Sequence, residues 1–147
     1  MPATKLKSEW GGGELRFREK TNSRVLANKM GPGGNAVAIA TDTTLAITHC
    51  GQDVYVTADA TVITLPATVV GYYYRIINGC ADGTALIKVS PNSSDLIAGG
   101  GYTAADDKDL LNTKATAKEG DYVELVGNGT TGWNIVRMVG VWAYEGA

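Results

Sequence analysis

One histidine, one phenylalanine and two cysteines occur in 147 residues, and each scarcity closes off a kind of chemistry. The lone histidine, His49, stands beside Cys50. A nucleophilic Cys-His pair needs both side chains within hydrogen-bond reach, and adjacent strand residues point to opposite faces. His49 therefore reads as a strand-end histidine. A zinc site takes three or four ligands at sensible spacing, and His49, Cys50 and Cys80 fall short of one. Two cysteines make no disulfide framework. They read as small, reduced hydrophobes, with pairing left open should their strands be neighbours. No apolar run approaches the ~18 residues of a membrane span, and the N-terminus has no signal-peptide core. Synthesis in a cytoplasm is expected.

Other catalytic signatures are missing or weak. Gly31-Pro32-Gly33-Gly34 lacks the Lys-Ser/Thr of a phosphate-binding loop and has no βαβ setting. Asp106-Asp107-Lys108-Asp109 is the densest carboxylate group, but it lacks the alternating ligands and central Gly of a calcium loop. It reads as a solvated helix start. No enzyme, catalytic residue, metal or cofactor is expected.

What is present is β-forming sequence punctuated by glycine, with 19 Gly and only four Pro. Residues 62–91 organise it. Val62 to Leu65 is a strand stopped by Pro66. Tyr72 to Ile77 is a second, with Tyr72, Tyr74 and Ile76 on one face and Tyr73, Arg75 and Ile77 on the other. Asn78-Gly79 and Asp82-Gly83 are turn dipeptides. Ala85 to Ser90 is a third strand, with Ala85, Ile87 and Val89 on one face. Further short strands are expected at Leu15–Glu19, Ala36–Ala40, Thr44–Thr48, Val54–Thr57, Leu96–Ile97, Lys114–Ala117, Tyr122–Val126, Trp133–Met138 and Val141–Tyr144. Thr103–Leu111 is the one expected helix, capped by Thr103 with Asp106 and Asp107 in its first turn. The pattern predicts an all-β fold, a jelly-roll-like sandwich or small barrel with a flexible N-terminal arm: residues 1–14 as arm, 15–147 as a single β domain.

Charge is unevenly spread. Residues 1–30 carry seven Lys or Arg against three Glu, whereas the remainder carries six basic and twelve acidic residues. A basic segment thus precedes an acidic body. It contains Trp10, followed by the Gly11-Gly12-Gly13 joint, and an isolated aromatic in a polar arm suits anchoring on a partner surface. There is no run of adjacent basic residues and few stacking aromatics, so direct nucleic-acid binding is not expected.

Several motifs between residues 60 and 143 resemble the small head-decoration, or capsid cement, proteins of tailed bacteriophages. They are Ile63-Thr64-Leu65-Pro66 with Gly71-Tyr72; Asn78 and Ala81-Asp82-Gly83 before Ile87-Lys88-Val89-Ser90-Pro91; Asp95-Leu96-Ile97-Ala98-Gly99; Asn112-Thr113-Lys114-Ala115-Thr116-Ala117 with Gly120-Asp121-Tyr122; Gly132-Trp133-Asn134-Ile135; and Gly140-Val141-Trp142-Ala143. The resemblance implies a structural virion protein on the capsid exterior, made in the host bacterial cytoplasm. Its partner would be the major capsid protein, whose neighbouring subunits it would cement. It implies a homo-oligomer, a trimer favoured over a dimer, with no cofactor and no membrane.

Five residues of the first strand and arm, Lys5, Lys7, Trp10, Arg16 and Arg18, are the candidate capsid contacts. Val139, Val141, Trp142 and Tyr144 are the candidate oligomer contacts. The rival reading is a phage tail-fibre or receptor-binding β domain, holding a host surface glycan on aromatics such as Tyr72, Tyr73, Tyr74, Tyr102, Trp133 and Trp142. A chain of this length without a coiled or repetitive shaft favours decoration.

Overall fold

The computed structural model describes residues 35–146. Among them the strands are β1 (Ala36–Ile39), β2 (Thr43–Thr44), β3 (Asp53–Val56), β4 (Thr61–Thr64), β5 (Tyr73–Asn78), β6 (Ile87–Ser90), β7 (Leu96–Ala98), β8 (Leu110–Asn112), β9 (Tyr122–Gly127), β10 (Gly132–Val139) and β11 (Ala143–Tyr144). They form a five-stranded sheet, in the order β11-β8-β6-β4-β2, and a six-stranded sheet, in the order β1-β3-β5-β9-β10-β7. The expected all-β sandwich is therefore present. The expected arm and its boundary at residue 14, with the expected strand Leu15–Glu19, lie outside the described residues; the compact β unit begins at Ala36.

The first half of the unit is wound as a coil. From β1 to β6 successive strands alternate between the two sheets, and within each sheet they pair in parallel: β1, β3 and β5 in one, β2, β4 and β6 in the other. The second half closes that coil with antiparallel pairs, β5–β9–β10 on one side and β6–β8–β11 on the other. Both sheets are consequently mixed, whereas the strands of a jelly roll pair antiparallel throughout.

Period-two alternation decides which side chains fill the space between the sheets. Tyr74 and Ile76 from β5 meet Ile87 and Val89 from β6, and all four are fully buried. Leu125 and Trp133 complete this layer, with the Trp133 and Tyr74 rings 5.4 Å apart and tilted. Buried side chains of this size contribute about 1.5–3 kcal/mol each, so this layer is the main source of stability.

Three sequence expectations are corrected. No α-helix occurs among the described residues, and Thr103–Leu111 is loop followed by the start of β8. Asp107 has φ +57° and donates its N–H to the Asp95 carbonyl, which breaks any helical turn, while Leu110 pairs with Val89 and Tyr144. Sheet pairing there overrides a local N-cap signal. Thr44–Thr48 is not one strand: β2 ends at Thr44, and Ile47–His49 is a 3-10 turn. Lys114–Ala117 is a turn held by the Thr113 carbonyl, which accepts the N–H groups of Thr116 and Ala117. The strand in that region is β8, which starts four residues earlier than expected.

A buried polar lock ties the sheets together. Asn78, at the end of β5, donates its amide to the Asn112 side-chain oxygen at 2.8 Å. Asn112 of β8 donates in turn to the Asp121 carboxylate at 2.9 Å and to the Val141 carbonyl at 3.0 Å. Asp121 also accepts the Lys118 N–H, and Asn78 accepts the Cys80 N–H. The side chains of Asn78, Asn112 and Asp121 are thus all partnered, as burial at this depth requires. At the opposite end Asp95 accepts the Thr68 N–H at 2.9 Å, and the Thr68 hydroxyl donates to the Gly132 carbonyl at 2.5 Å.

Candidate functional site

The outer face of the six-stranded sheet gathers the protein's most organised surface chemistry. Four strands, β3, β5, β9 and β10, lie side by side there. Alternation turns Asp53 and Tyr55 of β3 outward, with Arg75 and Ile77 of β5 and Tyr122 and Glu124 of β9. On β10 the phase is set by a bulge. Glu124 pairs with Arg137 and Leu125 with Ile135, so Val136 is an extra, unpaired residue. The bulge turns Arg137 outward, into line with Glu124.

Two rows cross the strands as a result. The first reads Asp53, Arg75, Glu124, Arg137, an alternation of sign. Arg75 Nη1 lies 3.3 Å from Asp53, Arg75 Nε 3.0 Å from Glu124 Oε2, and Arg137 Nε 3.8 Å from Glu124 Oε1. The second row reads Tyr55, Ile77, Tyr122, Val139. The rows touch where the Arg75 guanidinium stands over the Tyr122 ring, 5.3 Å from its centroid. A hollow of about 720 Å³ covers this region, floored by Tyr55, Ile77 and Tyr122 and rimmed by β1 and the Gly79 and Gly120 turns.

Electrostatics keep the Arg75 guanidinium of this row charged. Burial pulls the Arg75 guanidinium down, but the Asp53 carboxylate, the Tyr73 hydroxyl and Glu124 outweigh it, so its pKa is raised and it stays a cation. Burial likewise pushes the Tyr73 hydroxyl up. Partly exposed ion pairs contribute only ~0–1 kcal/mol each to stability. The row therefore does little to hold the fold together, and its value lies in presenting a fixed charge pattern.

The residues singled out from the sequence fall in different places. Lys5, Lys7, Trp10, Arg16 and Arg18 lie outside the described residues. Val139 and Val141 are exposed, at 44% and 56%. Trp142 and Tyr144 are spent inside the protomer. Trp142 is buried with Nε1 donating to the Val139 carbonyl, and Tyr144 is buried with its hydroxyl bonded to Ile97 and Ala105 and its ring stacked on Tyr102 at 5.3 Å. Their surface is used by the β11 end of the core, so of these four only Val139 and Val141 are exposed. Of the aromatics considered for glycan stacking, Tyr74 and Trp133 are fully buried. His49 sits in the 3-10 turn rather than at a strand end, and its Nδ1 accepts the Ala46 N–H at 3.0 Å. Cys50 Sγ accepts the Tyr73 N–H at 3.3 Å, and both cysteines are free. Asp109 pairs with Lys88 at 3.3 Å. Among the described residues no three His, Cys, Asp or Glu side chains are grouped to hold a metal ion.

Asp53, Arg75, Glu124, Arg137, Tyr55 and Tyr122 were not singled out from the sequence. Alternation alone puts all of them but Arg137 on an outward face. What joins them into rows is parallel pairing of β3 with β5 and the bulge at Val136, neither of which leaves a local signature. The chain matches no protein-family model and no curated protein.

Proposed function

We propose that this protein is a structural virion component, not an enzyme, which binds the outside of a phage capsid and cements neighbouring major capsid protein subunits. The observation that supports it is where the decoration-protein motifs fall in the fold. Asn78, Asn112 and Asp121 form the buried lock, Asp95 and Gly132 are tied through Thr68, and Trp133 and Trp142 sit in the core. The motifs thus build a rigid, cross-braced body. A clamp held against internal pressure needs such a body, and the basic segment ahead of it, with Trp10, supplies the capsid-specific contact. Many equivalent sites on one shell give avidity, so each contact needs only modest affinity.

The test mixes undecorated heads with the full chain, with residues 1–13 deleted, and with Trp10→Ala, Lys5→Ala or Lys7→Ala, then pellets the heads and measures bound protein. The truncated form stays folded and fails to bind. Trp10→Ala loses more than either lysine variant, because a buried aromatic anchor commonly contributes ~2 kcal/mol or more, whereas exposed charges act mainly on encounter rate. Truncated protein that binds as well as the full chain would remove the arm from the proposal.

A second reading draws on the hollow beside Tyr55, which is 40% exposed and open to stacking. It makes the chain a tail-fibre or receptor-binding domain that holds a host glycan. Abundance in purified particles separates the two: comparable to the major capsid protein for a cement, a handful of copies for a fibre.

A further inference from the structure

We propose that the outer face of the six-stranded sheet is a twofold interface for a second copy of this chain. The inference rests on the order of side chains in the two rows. Read from β3 to β10, the charged row is minus, plus, minus, plus: Asp53, Arg75, Glu124, Arg137. Such a row is antisymmetric about its centre, which lies between β5 and β9. A twofold axis running along the strands at that midline lays one copy face to face on another with the row reversed. Asp53 then meets Arg137 of the partner subunit, and Arg75 meets Glu124 of the partner subunit. Every charge faces its opposite.

The apolar row obeys the same operation. Tyr55 meets Val139 of the partner subunit, and Ile77 meets Tyr122 of the partner subunit. Each contact sets an aromatic against an aliphatic side chain, so neither two large rings nor two small side chains coincide. One axis therefore satisfies both rows, as an isologous interface requires, because each residue pair occurs twice. At the two sides of the face Tyr55 is 40% exposed, Val139 44% and Val136 56%, and the Arg137 side chain 64%, whereas Ile77 and Glu124 at its centre are 6% and 9% exposed and lie at the floor of the face. These are apolar and arginine surfaces, the kinds enriched in interfaces, and the carboxylates among them are already paired within the protomer. The in-protomer ladder keeps the face neutral before docking, so no lone charge is desolvated on closure.

The proposal concerns the free protein and stands or falls without any capsid. It commits to a dimer, not the trimer that the family resemblance favours. The full chain is studied by sedimentation equilibrium from about 1 to about 200 µM, the range in which an interface of modest size shows itself. Wild type is expected to reach a dimer. Asp53→Arg places Arg against the partner's Arg137, and Arg137→Asp places Asp against the partner's Asp53, so each variant alone is expected to be a monomer. Mixed one to one, the two restore both ion pairs and form a heterodimer at least ~100-fold tighter than either homodimer. Val139→Arg, at an exposed position where the fold is least at risk, is expected to dissociate the wild-type dimer, with far-UV circular dichroism unchanged. A wild type that stays monomeric, a trimer, or a dimer indifferent to Val139→Arg overturns the proposal. So does a folded variant pair that fails to associate on mixing.

Discussion

The side chains of Asn78 and Asn112 meet at 2.8 Å across the sandwich, and through this contact the six-stranded sheet is tied to the five-stranded one. Asn78 closes β5 and Asn112 closes β8, so each amide takes over where backbone pairing stops. Asn112 is fully buried and uses its amide and its oxygen together, donating to Asp121 and Val141 while accepting from Asn78.

Asn112→Ala removes three hydrogen bonds and leaves the buried Asn78 amide, together with the Val141 carbonyl, without these partners. Orphaned buried groups cost ~1–3 kcal/mol each, so the variant is expected to lose about 3 kcal/mol in urea unfolding. Thr113→Ala, one residue on and half-buried, is the control, with a loss below about 1 kcal/mol. Equal losses in the two variants would remove the lock from the account of stability.

Gly140 and Gly71 have similar backbones, φ +94° and +83°, but different surroundings. A Cβ at Gly140 would overlap the Asp121 carboxylate, whereas one at Gly71 would meet nothing within 4 Å. Both alanine variants bear the ~1 kcal/mol strain of a left-handed residue. Gly140→Ala also pushes Asp121 off Asn112, so it is expected to cost at least ~2 kcal/mol more than Gly71→Ala. Thermal melts of the two side by side decide it.

How much of this could be read ahead of the structure depends on how local each signal is. Strand faces at Tyr74 and Ile76, and at Ala85, Ile87 and Val89, follow from period two and are found as expected. Thr103–Leu111 misleads because a cap residue and early aspartates are local signals, while the demand of β6 and β11 for Leu110 is not. The site was harder still. Arg75 and Glu124 are separated by 49 residues, and Arg75 and Asp53 meet only because β3 and β5 run parallel. The bulge that aligns Arg137 is an extra residue in a run of β-formers and has no glycine to announce it. Trp142 and Tyr144 looked like contact residues because large aromatics near a terminus suit an interface equally well, and only packing shows that they are core.

The two free thiols are expected to be dispensable. Burial, and to a lesser degree the nearby Asp59 charge, push the Cys80 thiol up, so less of it is thiolate at neutral pH. Alkylation of folded protein at Cys80 should be slower than that of an unstructured thiol, and urea should abolish the difference. Changing both cysteines to serine should cost about 1 kcal/mol or less and leave the proposed capsid attachment intact, since serine at position 50 still offers an acceptor to the Tyr73 N–H. Loss of attachment by a folded double variant would assign the thiols a role that no contact described here gives them.

Tyr74 provides the pH test. Its ring is buried against Trp133, and its hydroxyl donates to the Ala46 carbonyl at 3.1 Å. Burial, with smaller contributions from Cys50 and Tyr72, pushes the hydroxyl from its ordinary 10.0 up to about 12. The folded-state pKa is thus raised, so the folded protein holds this proton more tightly than the unfolded chain does. Below pH 10 both states are protonated and the stability from this residue is fully present. As pH climbs from 10 to about 12 the unfolded chain ionises first, and stability falls with it. Tyr74→Phe removes that linkage. At neutral pH the variant lacks one hydrogen bond and is expected to be ~1 kcal/mol less stable. Across the alkaline window its urea midpoint should decline less steeply than that of wild type, so the gap between the two narrows. Parallel declines would mean that the Tyr74 hydroxyl titrates as an ordinary phenol, and that the layer between the sheets admits water.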